Sequence, residues 1–110
     1  MFAIEEDRKA INGRFVQTFA RTVKDHNTEL DVEAGTNGYK GTPCRKAGSR
    51  TYVSLVCLEG DFHFEPLVDD DGVVFGIEIA CCGDAGLNAV VKALDFARDV
   101  INDQRCEVDD

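Results

Sequence analysis

The stretch IEEDRKAINGRFVQTFARTVKDH, residues 4–26, decides how the rest of the chain is assembled. Ile4, Ile11, Phe15, Phe19 and Val23, with Val16 and Ala20 alongside, recur at helical steps, and this spacing predicts a first helix from near Glu5 to His26. Gly13 weakens its middle. Next, Leu30, Val32 and Ala34 alternate with Glu29, Asp31 and Glu33, the pattern of a half-buried strand that ends where a Gly-rich loop starts. Thr51 to Leu58, Phe62 to Val68 and Val73 to Cys81 read as three more strands, separated by the turns Glu59-Gly60-Asp61 and Asp69-Asp70-Asp71-Gly72. Pro66 places its strand at an edge or ends it early.

A second helix follows, with Asp84 as N-cap after Gly83. Leu87, Val90, Val91, Leu94, Ala97 and Ile101 trace one stripe at helical spacing, and Ala89, Ala93, Phe96 and Val100 trace a second. Together they cover an apolar arc of roughly 220° on a helical wheel. One face must meet the sheet, the other the first helix or another molecule. The order is then α-β-β-β-β-α, an α+β two-layer sandwich: an antiparallel four-stranded sheet with an N-terminal and a C-terminal helix on one face. Burying the first stripe leaves Phe96 and Val100 well round from its centre, and the first helix fills that place in preference to a second chain. A monomer is thus favoured over a homodimer through Phe96. Residues 1–103 form one domain and residues 104–110 a frayed acidic tail.

The chain has 110 residues, 44% of them hydrophobic, enough for a single core and too patterned for disorder. No apolar run approaches the roughly 18 residues of a membrane span, and the N-terminus lacks the regions of a signal peptide, so the reading is cytoplasmic. Five cysteines at irregular spacing, Cys44, Cys57, Cys81, Cys82 and Cys106, argue for reduced thiols over a disulfide framework. No Cys-x2-4-Cys pair occurs and His26 and His63 stand alone, which leaves no metal site. Cys82 precedes a helix, but Asp84 disfavours its thiolate and no histidine is placed as its base. The consecutive acids of Asp69-Asp70-Asp71-Gly72 fail the alternation of an EF-hand and read as a solvated turn. Neither a catalytic residue nor a cofactor is implied.

Charge is segregated. The formal net charge is −9, yet between Glu33 and Glu59 there is no acidic residue, while Lys40, Arg45, Lys46 and Arg50 lie among Gly35, Gly38 and Gly41. This loop, Gly35 to Arg50, suits an anion: glycines turn N–H groups toward it, Asn37 tolerates left-handed backbone, Tyr39 offers a stacking face and the four cations supply charge. The same cations could instead bridge to acids on the surrounding surface. It is not a P-loop, since it lacks the Gly-x4-Gly-Lys-Ser/Thr order. The clustered acids Glu59, Asp61, Glu65, Asp69, Asp70 and Asp71 either serve solubility or imitate a nucleic-acid backbone. Direct nucleic-acid binding is disfavoured for so acidic a chain.

The small size, the acidity, the plain α+β pattern and the stretch Gly-Thr-Asn-Gly-Tyr (residues 35–39) with Arg50-Thr51-Tyr52 resemble small proteins of phages and mobile elements in gut bacteria, the pool that supplies anti-CRISPR and related anti-defence inhibitors. The resemblance implies stoichiometric inhibition of a host defence enzyme by surface contact, in the host cytoplasm. The expected function is therefore a non-enzymatic inhibitor of a nuclease with a basic groove. The alternative is a small-anion or nucleotide-binding module that uses the loop 35–50.

Overall fold

The computed structural model of the protein describes residues 4–11, 13–37 and 50–108. Residues 4–26 form a β-hairpin where a helix was expected. Strand β1 (Glu5–Ile11) runs antiparallel to β2 (Arg14–Asp25), with pairs from Glu5↔Ala20 to Ile11↔Arg14. The local cause is the Asn12-Gly13 dipeptide, a two-residue hairpin signal, and Gly13 holds φ at +83°. A spacing of four residues, as in Phe15, Phe19 and Val23, is a multiple of the strand period and also close to a helical turn, so it does not separate the two. The β-branched and aromatic content of Phe15 to Val23 then favours the strand.

The chain continues through β3 (Thr28–Thr36), β4 (Thr51–Glu59), β5 (Phe62–Val68), β6 (Val74–Cys81) and α1 (Gly83–Val108). Strands β1-β2-β3-β4 make an antiparallel meander, and β5-β6 make a separate two-stranded sheet. This mostly β architecture with one C-terminal helix replaces the expected αββββα sandwich. The strand after β4 does not add to the outer edge of β4, and β5 and β6 pair only with each other. Pro66 accordingly lies on an edge strand.

Helix α1 lies across β2 and β3. The core joins Val23, Leu30, Val32 and Ala34 of the sheet to Ala89, Ala93, Phe96 and Ala97 of the helix. The buried face therefore centres on the stripe that carries Phe96, which is 8% exposed, and takes in Ala97 of the other stripe, whose Leu87 (58%), Val91 and Leu94 (53%) face outward. Alanines at the contact let the helix backbone approach the sheet closely. Without an N-terminal helix, Leu87 and Leu94 stay more than half exposed. Among the described residues no helix is long and apolar enough to cross a membrane.

Two polar clamps fix the helix to the sheet. The β2–β3 ladder stops at Phe19↔Ala34, and just beyond it Gly35 passes so close to Gln17 and Thr18 that a Cβ there would collide with the Gln17 carbonyl. Gln104 repairs the gap: its amide donates to the Gln17 carbonyl at 2.8 Å and accepts from the Thr36 N–H at 2.7 Å. At the other end Asn88 donates to Asp25 at 3.2 Å, and Lys92 donates to the Lys24 carbonyl at 3.0 Å. The Asn88 hydrogen bond, followed by His26 and the Lys92 charge, holds the Asp25 carboxyl below its ordinary range despite partial desolvation.

Candidate interaction surface

The Gly-rich loop springs from the paired ends of β3 and β4. Its neck is closed by the Thr36 and Thr51 hydroxyls at 2.9 Å and by Asn37, whose N–H donates to the Arg50 carbonyl at 3.2 Å and whose side-chain oxygen accepts from the Arg50 N–H at 2.7 Å. The Arg50 guanidinium donates to the Ile11 carbonyl at 3.2 Å, which ties the neck to the end of β1. Gly35 belongs to β3. Tyr39, Lys40, Arg45 and Lys46 lie outside the described residues, as does Cys44.

The predicted acids fall along the β5–β6 hairpin. Glu59 and Asp61 flank its base, Glu65 stands midway, and Asp69, Asp70 and Asp71 form its far turn. Asp69 builds that turn: its carboxylate accepts from the N–H groups of Asp71 and Val73, both at 2.9 Å, while its backbone pairs with Gly72 and Val73. Asp70 and Asp71 stay exposed. The register also sets Glu65 directly opposite Glu78, a residue the sequence reading passed over. Counting pairs outward from the Asp-Gly turn would have set Glu65 against Ile77, because the bulge at Phe75 shifts the register by one residue. His63, 3.8 Å from Glu65, is the nearest basic group, and among the described residues no Lys or Arg pairs with Glu78, Asp70 or Asp71. From Thr51 to Val91 the chain has no Lys or Arg at all, so no cation of this segment can neutralise the hairpin.

The reverse side of the hairpin is apolar. Phe62 and Phe64 stack at 6.2 Å between centroids, opposite Cys81 and Ile79, and Ile77 lies farther out beside Pro66. Phe75, at the bulge, is 69% exposed and Ile77 64%. Where this side meets α1 and the sheet, Leu30, Leu55, Phe64, Ile79, Leu87 and Leu94 help to line a groove of about 320 Å³. The hairpin is thus an amphipathic arm, acidic on one side and apolar on the other.

Among the described residues no three His, Cys, Asp or Glu side chains are placed to hold a metal ion. Cys82 is exposed and Cys81 half-buried. Comparison with protein-family models, with curated proteins and with solved structures finds no match to the chain.

Proposed function

We propose that this chain is a non-enzymatic binding protein that inhibits a nucleic-acid-handling enzyme, in the manner of anti-CRISPR inhibitors, by laying the acidic side of the β5–β6 hairpin into a basic groove. The observation that carries this reading is the Glu65↔Glu78 pair. Like charges directly opposite across two strands destabilise a hairpin, by roughly 0.2–1 kcal/mol, and folding gains nothing from them. A cationic partner turns that cost into binding energy and extends the contact to Asp70 and Asp71 at the tip. The competing reading, capture of a small anion by the loop, has less support, since its described ends, Asn37 and Arg50, are engaged in closing the neck.

The test is a cleavage assay with guide-loaded defence nucleases of basic groove, run with purified protein and with a Glu65→Lys, Glu78→Lys variant. Stoichiometric inhibition that weakens with salt and disappears in the variant is the expected result. Inhibition that survives charge reversal, or an absence of inhibition across such nucleases, rejects the proposal.

A further inference from the structure

The arm's other side supports a second, independent contact. We infer that the chain pairs with a second copy of itself through the apolar side of the β5–β6 hairpin and the outward stripe of α1. Phe75, Ile77 and Ile79 on the hairpin and Leu87, Val91 and Leu94 on the helix are 43–69% exposed, and the apolar groove joins the two sets. With Phe-sized side chains presenting ~150–250 Å² and aliphatic ones somewhat less, this surface amounts to roughly 600–800 Å². Monomers rarely expose a contiguous apolar patch above a few hundred Å², whereas a stable interface takes ~800 Å² from each partner.

Shape selects a second copy as the occupant, and the placement of the hairpin's carboxylates permits it. The β5–β6 hairpin is joined to the four-stranded sheet by no ladder, and Phe75 and Ile77, 69% and 64% exposed, lie beyond the residues that line the groove. Each molecule therefore offers both a projecting apolar ridge and an apolar groove, which a two-fold axis brings together reciprocally. Glu65 and Glu78 lie on the reverse side, so two chains of net charge −9 can meet with these carboxylates turned outward.

Sedimentation velocity of the full chain over a range of concentrations tests the inference. The wild type should form a dimer that rising salt leaves intact or tightens, because salt screens the repulsion between two acidic chains. Ile77→Asp and Leu94→Asp should each raise the dissociation constant at least roughly a hundredfold, since each change occurs twice in a two-fold interface, with the far-UV circular dichroism retained. Should either variant unfold, dilution of the wild type gives the same answer: fluorescence of an apolar dye must rise as the dimer dissociates. A wild type that stays monomeric at every concentration overturns the inference, and flotation of that monomer with phosphatidylcholine vesicles would give the face to a membrane. Ile77→Asp that dimerises as well as the wild type also overturns it.

Discussion

Gln104 shows how much one side chain can hold. It satisfies the Gln17 carbonyl and the Thr36 N–H where the β2–β3 ladder ends beside Gly35, and it does so from the helix. Gln104→Ala should lower the free energy of unfolding by about 1–2 kcal/mol, read from urea denaturation, because two backbone groups lose their partner. Asp25 works at the opposite end of the helix and ties stability to pH. Its folded pKa lies below the ordinary Asp value of about 3.9, so the ionised carboxylate stabilises the fold at every pH above that value. The contribution disappears as pH falls through the depressed folded value. Asn88→Ala removes the leading cause, so NMR titration should find the Asp25 pKa raised. The stability gap between variant and wild type should then be present at neutral pH and narrow in acid. Neither clamp was legible in the sequence: Gln104 read as the start of a frayed tail, and nothing in a one-dimensional pattern brings residue 104 to residue 17.

Among the elements, the N-terminal hairpin teaches the most. Its turn was written at Asn12-Gly13, but the four-residue spacing of the phenylalanines satisfied a helix equally well, and the glycine read only as a weak point. Gly13→Ala puts a Cβ on a residue with φ of +83° and should cost about 1 kcal/mol in thermal or chemical unfolding. Strands β4, β5 and β6 and the start of α1 agree with their sequence patterns to within a residue or two, because turns with Gly and Asp bound them. Which stripe of α1 faces the sheet was not legible, since both stripes keep helical spacing and only the partner decides. Two substitutions separate them. Ala93→Leu should destabilise by ~1–3 kcal/mol through overpacking, whereas Leu94→Ala, on the exposed stripe, should leave the stability of the isolated chain almost unchanged. In the candidate site, the turn acids were readable as a cluster, while Glu78 became visible only through strand register.

At the scale of the whole molecule, the charge pattern sets the response to salt. A chain of net charge −9 repels itself, so added salt should raise its melting temperature while weakening any contact made through the acidic side of the hairpin. Opposite responses of stability and inhibition in one salt series would separate self-repulsion from partner attraction. The order of elements has a further effect, on synthesis. Every strand of the meander leaves the ribosome before the helix that covers it, and the residues between Thr36 and Ala97 take several seconds to make at ~5–20 residues per second. During that interval Leu30, Val32 and Ala34 have no lid. The nascent chain must therefore carry its central strand uncapped past the exit tunnel, so a brief hold by a ribosome-associated chaperone, or a codon-dependent change in elongation rate, should alter how much active protein a cell recovers without altering a single contact of the finished fold.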